Sequence, residues 1–153
     1  MQPCDSHKTR VLPAGLLGEQ IASILADTGS FTLTVTGSSM VPTLRDQRSS
    51  VELTAPQGSV KKGQILFFRR LSGEFLLHRA IRVEKDAITV CGDAQSWTEQ
   101  IRPCQIIGVV NRICRDGRWY ACGTLADKAY CALWGLTRPF RPAMFRMVSR
   151  LRH

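Results

Sequence analysis

No run of this 153-residue chain approaches the roughly 18 to 20 apolar residues that would span a bilayer. The opening MQPCDSHKTR is polar, and the apolar stretch behind it is broken by Pro13, Gly15, Gly18, Glu19 and Gln20. Neither a spanning helix nor a secretory leader is expected there. Histidine is scarce: His7 and His153 sit near the ends, and His78 alone falls within the body of the chain. The six cysteines (Cys4, Cys91, Cys104, Cys114, Cys122 and Cys131) form no CxxC pair and have no histidine placed to complete a metal site. No metal and no cofactor are called for, and the dispersed thiols suit a reducing environment. A cytoplasmic or peripherally membrane-associated protein is expected. Acidic residues stop at Asp127, after which Lys128, Arg138, Arg141, Arg146, Arg150 and Arg152 leave six uncompensated positives out of a net charge of +9. The basic excess, which suits nucleic acid, anionic lipid or acidic partners, is thus mostly a C-terminal property.

The length suits one domain with one modest core. Leu17, Ile21, Ile24 and Leu25 follow helical spacing until Asp27 and Gly29 stop it, which predicts a short amphipathic helix within an extension over 1–30. In FTLTVTG, Phe31, Leu33 and Val35 alternate with threonines, the period of a half-buried strand. Short strand-like runs follow: SSVELTAP, QILFFRR, FLLHRAIRVE, AITVCG and QIIGVVNRICRDG, separated by turn residues. A mainly β domain over 31–119 results. From Leu125 the pattern turns helical, interrupted at TRPFRP, where proline cannot continue a helix. The stretch 120–153 reads as a helical basic tail, with Phe140, Met144, Met147 and Leu151 on one stripe and Arg146 and Arg150 elsewhere around the wheel.

Three positions carry candidate chemistry. GSSMVPTL sets Ser38 and Ser39 directly after a strand, and Pro42 restrains the backbone that presents them. A serine nucleophile needs a base and an oxyanion acceptor. His78 lies inside an apolar strand, where an unpartnered imidazole is costly, and it is the candidate base. Asp93 in VCGDAQ follows a strand end at Gly92, and a hairpin ending there would bring its carboxylate toward His78. Taken singly, each has an ordinary explanation: a turn serine, a histidine satisfied at the core edge, an aspartate in a turn.

GSSMVPTL resembles the nucleophile motif of the signal peptidase I family, in which the serine before methionine attacks the scissile carbonyl. KKGQILFF resembles that family's Gly-Asp-Ile-Val-Val-Phe strand, LLHRAI its base-bearing strand and CGDAQ its Gly-Asp-Asn box, with IIGVV where the closing Val-Gly strand falls. The likeness covers roughly residues 31 to 112. It implies a coiled β catalytic domain and a Ser-His mechanism, as in the archaeal and endoplasmic-reticulum types, with Ser39 as nucleophile, His78 as base and Asp93 orienting it. Gly37, Ser38, Met40 and Pro42 would form the oxyanion and substrate-binding surface. Gly37 stands where many bacterial members carry an oxyanion serine, so the Ser39 amide is expected to serve. Gln64 replaces the aspartate of the Gly-Asp-Ile box, Ala94 and Gln95 follow Asp93 where asparagine is usual, and the N-terminal anchor of the family is not seen.

The implied partner is a precursor peptide or protein, bound as an extended strand and cut after small residues. The basic tail is expected to touch an anionic membrane surface peripherally, in preference to nucleic acid. The alternative is a noncatalytic peptide-, lipid- or nucleic-acid-binding module on the same fold. A self-cleaving repressor of the LexA type fits poorly, because the residues before 31 are too few for a helix-turn-helix domain and those repressors use lysine as base.

Overall fold

The computed structural model describes residues 14–151; Cys4, His7, Arg152 and His153 lie outside the described residues. Helix α1 (Ala14–Thr28) leads into strands β1 (Ser30–Thr34), β2 (Ser49–Thr54), β3 (Ile65–Arg69), β4 (Phe75–Val83), β5 (Ile88–Cys91), β6 (Glu99–Ile101), β7 (Ile106–Arg115) and β8 (Arg118–Ala121). Helix α2 (Leu125–Leu136), a 3-10 turn (Arg138–Phe140) and helix α3 (Arg141–Leu151) follow. The protein is mainly one antiparallel sheet in the order β1-β2-β7-β3-β4-β5-β6, with β8 paired to β7. The expected N-terminal helix, principal strands and helical C-terminal stretch are all present. Strands β6 and β8 were not expected: EQI is three residues long, and RWYA sits behind a two-residue turn in which Asp116 and Gly117 both take positive φ. The β structure therefore runs to Ala121, two residues past the expected edge.

The sheet buries both faces, because alternate side chains of each strand point opposite ways. One cluster holds Ile21 and Leu25 of α1 with Val51, Leu53, Ile65, Phe67, Met40 and Leu44. The other holds Leu66, Phe68, Ala80, Ile88, Val90 and Ile101. Each fully buried Leu, Ile or Phe contributes about 1.5–3 kcal/mol relative to exposure. On β4, Phe75 and Leu77 join the first cluster and Leu76 and Ala80 the second. This alternation sends Arg79 to the first face and His78 to the second, which governs the site.

Helix α2 starts at an N-cap: Thr124 Oγ1 accepts from the Asp127 amide, and Asp127 Oδ2 accepts from the Gly123 amide. The helix ends just before the 3-10 turn that contains Pro139. The tail departs from a simple packed amphipathic helix in two respects. Phe140 and Met147, expected on one stripe, are exposed, and Arg141, one of the six positive charges of the tail, is buried.

Candidate functional site

The Ser39 turn is held by its own loop. Beyond β1, the Val35 amide donates to Ser49 O, and the Gly37 amide to Asp46 Oδ1 at 2.8 Å. Gly37 has φ +88, a conformation glycine adopts without strain. Met40, Thr43 and Leu44 are buried and pin the far side of the turn, which carries a cis Val41–Pro42 peptide. Ser39 is half-buried, and its carbonyl accepts from the Ala94 amide at 2.8 Å. That contact requires glycine at position 92, because a Cβ there would lie 2.6 Å from Ser39 O. The Ser38, Ser39 and Met40 amides have no acceptor among the described residues; Met40 is buried, which leaves the Ser38 and Ser39 amides as the candidates for an oxyanion. The Gly37 amide is not, being spent on Asp46, and Pro42 has no N–H. Beside Ser39 lies a small groove of about 180 Å³ lined by Leu33, Val35, Met40, Phe67, Phe75 and Leu77.

Asp93 does not orient His78. Both its oxygens are taken by Arg79, through Nε–Oδ1 at 2.9 Å and Nη2–Oδ2 at 2.7 Å, and Oδ2 also accepts from Thr43 Oγ1. The register explains the departure from expectation. Arg79 is paired with Cys91 across β4 and β5, so the chain leaving β5 at Asp93 meets the Arg79 face, whereas His78 projects from the other. Burial opposes a charge on Arg79, but the hydrogen bonds and Coulomb attraction of Asp93 outweigh it and raise the guanidinium pKa. Arg79 Nη1 donates further to Gly63 O at 2.8 Å.

His78 is 1 % exposed and sits edge-on between Phe68 and Trp97, with ring centroids 5.9 and 6.0 Å away. Its Nδ1 lies 3.2 Å from Glu99 Oε1, outside good hydrogen-bond alignment, and neither ring nitrogen has a hydrogen-bond partner among the described residues. Glu99 is held in place by Arg70, whose Nε and Nη2 each donate to it at 2.8 Å. Burial lowers the His78 pKa below its ordinary value despite the opposing pull of Glu99. At neutral pH the ring is therefore a neutral base beside a carboxylate. Asp93 acts on it only at longer range, through its charge.

Helix α2 closes the Asp93 side. Tyr130 Oη lies 3.0 Å from Thr43 Oγ1, and Trp134 Nε1 donates to Asp93 O at 2.9 Å. Arg141 donates to Gly92 O, Gln95 O and Trp134 O, with its guanidinium over the Trp134 ring. Burial raises the thiol pKa values of Cys91, Cys122 and Cys131, so none of the three is an activated thiolate. Among the described residues no cluster of three His, Cys, Asp or Glu side chains is arranged to hold a metal.

No family model and no curated protein matches this chain. The site is therefore read from its own geometry. Two halves stand on either side of one strand: Ser39, Thr43, Asp93 and Arg79 on the first face, His78 and Glu99 on the second. Ser39 and His78 are not hydrogen-bonded to each other. Sequence reasoning overlooked Glu99, Arg79, Thr43, Tyr130 and Trp134. Arg79 had a signal, a cation one residue from the candidate base inside a strand of apolar character. Glu99 had none, because its meeting with His78 depends on how β6 pairs with β5.

Proposed function

We propose that this chain is a serine endopeptidase of signal-peptidase type, removing a leader or signal segment from a precursor. The observation that carries the reading is the Ser39 turn: a half-buried serine with two unused amides, its own and that of Ser38, at an apolar groove open to a small side chain. A neutral, buried His78 backed by Glu99 supports it. Ser39 Oγ attacks the scissile carbonyl carbon and its proton passes to His78 Nε2. The carbonyl oxygen becomes an oxyanion facing the Ser39 turn amides, and Glu99 stabilises the imidazolium. Collapse breaks the C–N bond, with the His78 proton going to the leaving amine. Water then hydrolyses the acyl-serine by the same proton path, releasing the acid and restoring Ser39. Because Ser39 and His78 stand on opposite faces of β4, the attack requires a rearrangement in the substrate complex that brings His78 Nε2 out from between Phe68 and Trp97 to Ser39 Oγ.

The missing Ser39–His78 hydrogen bond favours the second reading, a peptide-binding module that does not cut. Incubating a peptide library with the purified protein and with Ser39→Ala, read by mass spectrometry, separates the two. Cutting after small residues that vanishes in Ser39→Ala is the expected result. Peptides bound but uncut, with Ser39 inert to an activated fluorophosphonate, would establish the module instead.

A further inference from the structure

Helix α2 has two faces. At 100° per residue, Asp127, Tyr130, Cys131 and Trp134 occupy one side, and this side docks on the β domain through Thr43, Asp93 and Arg79. Leu125, Ala129, Ala132, Leu133 and Leu136 fall within an arc of about 100° on the opposite side. All five are exposed, Leu125 by 85 %, Leu133 by 67 % and Leu136 by 74 %. Phe140 and Met147, exposed by 67 % and 61 %, continue the apolar surface into the 3-10 turn and α3. Lys128 borders the stripe at about 60° from Leu125, and Arg138 follows its end. Neither cation has an ion-pair partner among the described residues, and no acidic residue follows the inward-facing Asp127.

We propose that this outer face of α2, with Phe140 and Met147, is a docking surface for an anionic lipid bilayer. An apolar stripe bordered by cations and lacking acids matches the acyl and headgroup layers of such a surface, with the cations reaching the headgroups. A second copy of the chain would set the same positive rim against itself. Because the inner face of α2 touches Thr43 and the Asp93 loop, lipid docking places α2 between the membrane and that part of the β domain. The docking does not depend on Ser39 being a nucleophile, so it is tested by binding alone.

The test is co-sedimentation of the full chain with vesicles of phosphatidylcholine and phosphatidylglycerol at 7:3, and with phosphatidylcholine alone. The wild type should bind the anionic vesicles at least about tenfold more tightly than the neutral ones. Leu133→Glu/Leu136→Glu should weaken that binding roughly 100-fold, with an unchanged melting temperature because both side chains are exposed. Lys128→Gln/Arg138→Gln, which keeps the apolar stripe, should weaken it roughly tenfold on anionic vesicles and leave the neutral ones unaffected. Absence of binding, equal affinity for both vesicles, or unchanged binding by the leucine variant overturns the proposal. So does self-association in sedimentation velocity that the leucine substitutions abolish, which would make a second copy the occupant.

Discussion

Asp93→Ala strands a buried cation. Arg79 and Asp93 are both buried and joined by two hydrogen bonds of 2.9 and 2.7 Å, and the variant removes both acceptors at once. Arg79 is left with Gly63 O, the Cys131 sulfur and a long 3.5 Å contact to Thr43 Oγ1. Breaking a buried pair from one side costs about 3–5 kcal/mol. At about 2–4 °C per kcal/mol for a domain of this size, the melting temperature should fall by roughly 6–20 °C. Arg79→Met should cost a similar amount, since Asp93 is then the stranded charge. Simple addition would give about 6–10 kcal/mol, a large part of the roughly 5–15 kcal/mol that holds a domain folded. We expect Arg79→Met/Asp93→Leu to lose less than either single variant, because removing a matched buried pair is often close to neutral. The unpaired Gly63 carbonyl accounts for a residual of about 1–3 kcal/mol. Urea unfolding of the four proteins measures the coupling, which should be at least about 3 kcal/mol. Effects that add to within about 0.5 kcal/mol would refute the assignment of Asp93 to Arg79.

The remaining predictions concern the base and the nucleophile turn. Burial holds His78 below its ordinary 6.5, so the acid limb of kcat/KM should lie below pH 6.5. The unfolded chain takes up this proton near pH 6.5 and the folded chain only at lower pH, so His78 also makes stability fall as pH drops below 6.5. Glu99→Gln removes a charge that raises the His78 pKa; the limb should move lower still, and the plateau rate fall roughly 10- to 100-fold. A limb above pH 6.5, or a Glu99→Gln variant with the wild-type profile, would disprove the pairing. Gly92→Ala places a methyl 2.6 Å from Ser39 O, so it should destabilise by about 1–3 kcal/mol and slow fluorophosphonate labelling of Ser39. Thermal melting and labelling rates check this, and wild-type values in both would contradict the close approach.

Much of the architecture was legible along the chain. Alternation in FTLTVTG and FLLHRAIRVE marked strands, the spacing of Ile21 and Leu25 marked α1, and Pro139 marked the break between α2 and α3. These signals are local: side-chain direction in a strand or helix depends on residues two to four positions apart. GSSMVPTL likewise announced a constrained turn in its own neighbourhood, whereas the close approach of Gly92 to Ser39 O joins segments far apart in sequence.

Which side chains meet was decided by pairing between distant segments. His78 and Asp93 stand close in sequence, yet the Arg79–Cys91 register puts Asp93 on the Arg79 face and leaves His78 to Glu99. The three-residue strand β6 was too short to announce itself, although it carries Glu99 to the base. The composition of the tail showed its charge but not its orientation. Tertiary packing turned Tyr130 and Trp134 inward, buried Arg141, and left Leu133 and Leu136 exposed. An amphipathic pattern records that a helix has two faces, whereas contacts with the rest of the fold determine which face is covered.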